Sequence, residues 1–279
     1  MAAYDVNGST HALTQRWTWN CTNSGSAWYG QGFHNFGIAD VDLDGRDEIV
    51  YGSMVIDDNG KGLSTTGLGH GDAQHCGDFD PYRHGLEIFT CNEEQPAMNY
   101  RDATTSNIYY RVTSSTDDGR ALCGNFSNDY PGCMGRSTQT SMVSTVADQE
   151  LSALGDYIAW GDLNFRIYWD GDLLDELLNS PGTEKEAKID KPGVGRLFTT
   201  SGCNMNNYTK NTPCFAGDIL GDWREEIIMR CGSNIRIYTT AIPTDYRLCT
   251  LWDDMQYRQA MVWQMHAIQP TAIHQFLLG

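Results

Sequence analysis

Five carboxylates fall within nine residues, Asp40, Asp42, Asp44, Asp47 and Glu48, in the run Gly37-Ile-Ala-Asp-Val-Asp-Leu-Asp-Gly-Arg-Asp-Glu-Ile-Val-Tyr-Gly52. Left bare, such a group repels itself, and its alternation through a tight glycine turn supplies the donor set of a hard cation. Calcium is the expected ion. An EF-hand loop needs a bidentate glutamate at its twelfth position and a helix on each side. Counted from Asp40, that position is Tyr51; the acid arrives early, at Glu48, and Ile-Val-Tyr follows. A β-branched and aromatic run of this kind opens a strand, so the motif reads as a calcium loop feeding a β-strand.

Three related stretches follow. Asp78, Asp80 and Glu87 repeat the pattern, Gly124-Asn125-Phe-Ser127-Asn-Asp129 is a degraded copy, and Asp218, Asp222 and Glu226 form a further one. In three of the four the acids end in Glu-Ile, at Glu48-Ile49, Glu87-Ile88 and Glu226-Ile227. These carboxylates are therefore candidate metal ligands. A recurrence of about 40 to 50 residues, with several strands per unit, predicts an all-β chain and specifically a β-propeller with calcium-binding blade loops.

Glycines flank His70 in Gly67-Leu-Gly-His-Gly-Asp-Ala73, and His70 and Asp72, two apart on an extended chain, face the same way. With His34 and Glu93 they form a second candidate metal set, against the equally weighted reading that the histidines only satisfy turn carbonyls. The polar stretch Asn207-Tyr208-Thr209-Lys210 places one cation among amides and hydroxyls, which suits a sugar carboxylate. Arg120, beside Asp117 and Asp118, reads on its own as their ion-pair partner.

The elements that position these residues are short strands. Glycine is abundant, at 29 of 279 residues, proline is scarce at 8, and aromatics make up 11%. Ile108–Val112, Phe165–Trp169 and Ile235–Thr239 read as strands, and residues 3–19 as a hairpin around Asn7-Gly8. Leu173–Leu178 reads as a short helix from its apolar spacing, and residues 179–196 as a surface loop. A net charge of −17, from 36 acids against 19 Lys and Arg, excludes a nucleic-acid binder, whose basic face it cannot supply. No apolar run is long enough for a membrane span, and residues 1–20 lack a secretory leader pattern. The nine cysteines are an odd number, with Cys203–Cys214 the first pair to test. Asn20, Asn125 and Asn207 lie in short glycosylation sequons.

Several of these segments, together with Tyr168-Trp-Asp-Gly-Asp-Leu-Leu174, Gly221-Asp-Trp-Arg-Glu-Glu226, Ile237-Tyr-Thr-Thr240 and Tyr257-Arg-Gln-Ala-Met-Val-Trp-Gln264, closely resemble the rhamnogalacturonan lyases of polysaccharide lyase family eleven. The resemblance runs along nearly the whole chain. It implies an eight-bladed, calcium-rich propeller, of which residues 1–279 form a single incomplete domain amounting to about half the ring. It also implies endo-cleavage of the rhamnose–galacturonate bond of pectin by calcium-assisted β-elimination. By motif, the functional metal would be held by His34, His70, Asp72 and Glu93. Arg120 and Lys210 would be catalytic, Lys210 as the base, with Asn207, Tyr208 and Thr209 binding substrate. An active-site tyrosine of the family is absent from Ala267-Ile-Gln-Pro-Thr-Ala-Ile-His274.

The partner expected is thus pectic rhamnogalacturonan I, with no nucleic acid and no membrane; the setting expected is extracellular. Unpaired edges of a half-ring favour self-association. The alternative function is a non-catalytic calcium-rich propeller for glycan binding or scaffolding.

Overall fold

A computed structural model of the chain describes residues 1–154, 163 and 165–264, so the stretch from Ala267 to His274 lies outside the described residues. The Asn7 side chain accepts from the amides of Ser9 and Thr10, turning β1 (Ala2–Val6) back onto β2 (Leu13–Thr18) as an antiparallel hairpin. Three four-stranded antiparallel sheets follow, each in sequence order. The first is β3 (Gly37–Ala39), β4 (Glu48–Tyr51), β5 (Met54–Ile56) and β6 (Gly62–Thr65); the second is β7 (Gly71–Gly77), β8 (Glu87–Asn92), β9 (Ala97–Asp102) and β10 (Ile108–Thr113). The third is β11 (Ala121–Gly124), β12 (Met134–Ser137), β13 (Val143–Ser144) and β14 (Gln149–Glu150).

The remaining strands join into one seven-stranded sheet: β15 (Phe165–Ile167), β16 (Glu176–Asn179), β17 (Glu186–Lys191), β18 (Gly195–Asn204), β19 (Phe215–Gly217), β20 (Glu226–Cys231) and β21 (Asn234–Tyr238). Strand β18 meets β20 through the single pair Asn204–Arg230, and the adjacent Cys203–Cys231 disulfide fastens that joint. Among the described residues the fold is all-β apart from short 3-10 turns and one helix, α1 (Met255–Trp263).

This architecture corrects the propeller expectation. The described strands form sheets of two, four, four, four and seven strands, not a fan of equal blades, because the last seven run together as one sheet. The acidic period counts strand-opening corners; it carries no information on how sheets are joined. Leu173–Leu178 is not helical: β16 begins at Glu176, and Leu177 and Leu178 are buried between Phe165–Arg166 and Ile189–Asp190. Residues 179–196 are not a loop alone, since they contain β17 and the start of β18. Cys203 pairs with Cys231, while the Cys214 sulfur accepts from Asn206.

Buried side chains weld the sheets. Leu122 and Met134 of the third sheet share one cluster with Ile167, Leu177, Ile189 and Ile227 of the seven-stranded sheet. The second and third sheets approach at Gly135, where a Cβ would lie 2.1 Å from the Phe89 ring, so only glycine admits this packing. Arg101 of β9, fully buried, donates to Thr90 Oγ1 (3.0 Å), Asn99 Oδ1 (2.8 Å) and the Gly52 carbonyl (2.5 Å), tying the second sheet to the first. Asp254 caps α1 by accepting from the Tyr257 amide, and the helix seats Tyr257 and Met261 against Trp223 and Tyr168. Among the described residues no helix is long and apolar enough to cross a membrane.

Since one strand pair and the disulfide hold β18 to β20, Cys203→Ser is expected to cost about 2 to 4 kcal/mol. The measurement is the denaturant midpoint of wild type and variant without and with a thiol reductant; equal midpoints without reductant would show the bridge to be idle.

Candidate functional site

Each acidic corner is built the same way. The glutamate that opens a strand reaches back to backbone amides six to eight residues earlier: Glu48 accepts from Val41, Glu87 from Phe79 and Asp80, and Glu226 from Ile219 and Leu220. Glu176 does likewise with the amides of Trp169 and Asp170 at 2.8 and 3.2 Å. That last corner, Asp170-Gly-Asp172 leading to Glu176, was masked in the sequence by the helix-like leucine spacing around it.

The corners differ in what offsets their charge. In the first, oxygens of Asp40, Asp42 and Glu48 all lie within 4.8 Å of one another, and burial pushes Glu48 up to about 7 and raises Asp42. Asp44 stands outside this trio, accepting from the Arg46 amide, while its own amide bonds Asp40. At the second corner Asp78, Asp80 and Glu87 do not gather in this way, and Arg83 pairs with Asp80 (3.3 Å) and Asp148 (2.9 Å). At the third, the Lys191 ammonium reaches Asp170, Asp172 and Glu176 at 2.5, 2.7 and 3.0 Å. At the fourth, buried Asp218 accepts from Gly221, Leu251 and Thr250, and Asp222 pairs with Arg224 at 2.6 Å, so Asp218, Asp222 and Glu226 are not brought together either. Of these four corners, only the first keeps converging carboxylates with no Lys or Arg nitrogen among them in the described residues. Its all-oxygen donors fit a hard divalent cation.

A second set converges between the first two sheets. Gly69 adopts φ +82°, and at Gly71 a Cβ would meet the Cys91 carbonyl at 2.3 Å, so both glycines are needed to bring His70 and Asp72 inward. His70 Nδ1 donates to the Gly32 carbonyl at 2.6 Å, which turns Nε2 of the neutral ring into an acceptor. That Nε2 lies 3.3 Å from His34 Nε2 and 3.7 Å from Glu93, and His34 Nε2 lies 3.5 Å from Asp72. His70 therefore satisfies a turn carbonyl with one nitrogen and faces the cluster with the other. His34, His70 and Asp72 bring donor atoms within 4.8 Å of one another, a set that fits a divalent cation of mixed nitrogen and oxygen preference, while Glu93 stands at the His70 side and outside that trio.

Arg120 adjoins this set. A Cβ on Gly119 would sit 3.2 Å from Asp72 Oδ2, and the next residue, Arg120, sends its guanidinium to the carbonyls of Thr209 and Lys210. Asp118 accepts instead from Thr138 Oγ1. The loop so engaged is pinned at its base by the Asn206–Thr212 bridge and at its tip by Glu184, which accepts from the Tyr208 amide (3.0 Å) and donates to Asn211 (2.9 Å). Asn207, Tyr208 and Asn211 all take positive φ, and for an aromatic residue such as Tyr208 at +48° this is strained backbone of the kind concentrated at functional sites. A cavity of about 530 Å³ opens beside it, with Arg120, Thr209 and Asn211 on one wall and Arg136 and Asn179 on others. Arg136 and Asn179 escaped sequence reasoning, since a single arginine or asparagine inside a strand carries no motif.

The whole chain, residues 1–279, matches the family profile described as rhamnogalacturonan lyase family 11, C-terminal domain. Rhamnogalacturonan endolyase YesW of Bacillus subtilis (strain 168) is 44% identical over 282 residues, which cover 96% of this chain and 43% of that protein. The crystal structure of YesW superposes with a TM-score of 0.86 at 41% identity, covering 99% of this chain and 47% of that one. Rhamnogalacturonan exolyase YesX, also from B. subtilis (strain 168), is 38% identical over 295 residues, covering 100% of this chain and 48% of YesX. The chain thus spans about half the length of the curated relatives it matches.

Calcium is expected to raise the unfolding midpoint of the wild type, and the pair of changes Asp40→Asn and Glu48→Gln to remove part of that gain, worth about 2 to 3 kcal/mol at a hundredfold excess over Kd. Glu87, pushed up by burial from 4.5 to about 7, binds its proton more tightly folded than unfolded. Calcium-free stability therefore falls as pH rises through that window, and Glu87→Gln is expected to flatten the fall by roughly 3 kcal/mol. Urea midpoints taken at several pH values check both the slope and its loss.

Proposed function

Because the chain belongs to rhamnogalacturonan lyase family 11, as its C-terminal domain, we propose that it carries the catalytic centre of a rhamnogalacturonan lyase. The reaction proposed is β-elimination at the rhamnose–galacturonate bond of rhamnogalacturonan I. One observation supports this most: Gly119 abuts Asp72 of the His34–His70–Asp72–Glu93 set, so Arg120, which holds the Thr209–Lys210 backbone, stands beside both the cation set and the polar loop.

β-Elimination removes the C5 proton of galacturonate, forms the C4–C5 double bond and expels the rhamnose oxygen from C4. Negative charge moves into the uronate carboxylate as the proton leaves, so positive groups aimed there stabilise the transition state. A calcium ion, when bound by His34, His70, Asp72 and Glu93, supplies such charge as a Lewis acid. Arg120, whose two terminal nitrogens donate to the Lys210 and Thr209 carbonyls, places its positive charge beside the carboxylate and fixes the loop that presents Lys210. Lys210, half-buried at the end of its 3-10 turn, takes the C5 proton at Nζ. Asn207, Tyr208 and Thr209 contact the sugar; Tyr208 is 70% exposed and open to stacking. A second calcium at Asp40, Asp42 and Glu48 is structural in this reading. Endo cleavage is the mode proposed, in keeping with the higher identity to the endolyase. Calcium and a disulfide both suit an extracellular protein.

The test is formation of unsaturated uronate product from rhamnogalacturonan I. Lys210→Ala and Arg120→Ala are each expected to lower kcat by about a hundredfold or more. Retained turnover in both would reject these roles; glycan binding without unsaturated product in the wild type would instead favour a scaffold. The size distribution of early products separates endo from exo action.

A further inference from the structure

The cavity beside the Lys210 loop is of opposite character to the rest of the molecule. In a chain of net charge −17, its described lining contains two arginines, Arg120 and Arg136, and no Asp or Glu. Its other polar walls come from Thr138, Asn179, Ser180, Thr183, Thr209 and Asn211. At about 530 Å³ it lies in the size range of small-ligand pockets.

The register of the third sheet explains how two like charges meet there. Leu122 of β11 stands opposite Arg136 of β12, and the Thr138 amide bonds the Arg120 carbonyl at 3.0 Å. Residues opposite or two apart share a face, so Arg120 and Arg136 are diagonal neighbours on one side of the sheet. Long side chains at diagonal positions come within reach of one another, and an anion between or beside two such positive charges offsets their repulsion. Arg120 is already committed to the carbonyls of Thr209 and Lys210. Among the described residues Arg136 makes one side-chain hydrogen bond, from Nε to the Thr140 carbonyl at 3.3 Å, and no carboxylate lies within 4.0 Å of it. Its two terminal nitrogens thus form a planar fork on a strand packed over buried Leu122 and Met134, with little left to order on binding.

We propose that Arg136 binds the carboxylate of a second uronate of the same glycan chain, making this cavity a subsite that reads charge away from the bond being cleaved. The inference rests on the reading of the Arg120–Lys210 region as the glycan site. It assigns Arg136 to affinity for longer, charged substrates and gives it no part in proton transfer.

The experiment compares wild type, Arg136→Gln and Arg136→Lys in the full chain, with calcium present. The ligands are a rhamnogalacturonan hexasaccharide with free carboxylates and the same hexasaccharide with its carboxyl groups reduced to alcohols. Calorimetry is expected to show the charged ligand weakened about tenfold or more in Arg136→Gln, the reduced ligand unchanged, and Arg136→Lys in between. In turnover, KM is expected to rise by a similar factor with kcat held. Equal affinity of all three proteins for the charged ligand would overturn the proposal, as would an equal loss for charged and reduced ligands, which marks a structural role. A chain that binds with this discrimination yet makes no unsaturated product would sink the lyase reading and leave the subsite standing.

Discussion

Crowded carboxylates are the constraint on which this structure depends. Glutamates at the strand starts must be buried to receive backbone amides from the loop before them, and each aspartate of that loop adds charge to the same small volume. The fold meets the repulsion differently at each corner. Arg83 answers at one, Lys191 at another, and backbone amides with Thr250 and Arg224 at a third. Of these corners, among the described residues, only the Asp40 one gathers carboxylate oxygens with no protein cation between them. A repeated motif has thus been diversified while its architectural part, the glutamate-to-amide bonds, is kept.

The division explains what was legible in the sequence. Glu-Ile at the head of a strand is a local instruction, and β4, β8 and β20 begin at those glutamates. The His70–Asp72 pairing was equally local, because alternation on an extended chain fixes their common face and glycines on both sides permit the approach. The joining of sheets was not local. One residue pair and one disulfide decide that seven strands run together, and neither leaves a periodic trace. Leu177 and Leu178 were misread for a related reason: a strand buried on both faces shows an unbroken apolar run, which apolar spacing alone cannot separate from a helix. Which carboxylates converge was hidden too, since the deciding cation arrives from elsewhere in the chain, as Lys191 does.

The site is positioned by contacts of small area. Gly119 has no side chain, and a Cβ there would come to 3.2 Å from Asp72 Oδ2, so the chain leading into Arg120 runs close along that carboxylate. Arg120 then spans to the loop carbonyls, joining a cluster between the first two sheets to a loop of the seven-stranded sheet. Carboxylates around that span have partners of their own: Asp118 accepts from Thr138, Glu184 from the Tyr208 amide, and Asp72 faces His34.

The Cys203–Cys231 bridge has a bearing on motion as well. The two sulfurs enclose every residue from the polar loop to the end of β20, so the Lys210 segment travels inside a covalent hoop. Glu184 and Arg120 hold its tip and the Asn206–Thr212 bridge its base, while the bond keeps β18 against β20 beneath them. With the bond reduced, the placing of that segment would fall to one strand pair and a few hydrogen bonds of the loop itself.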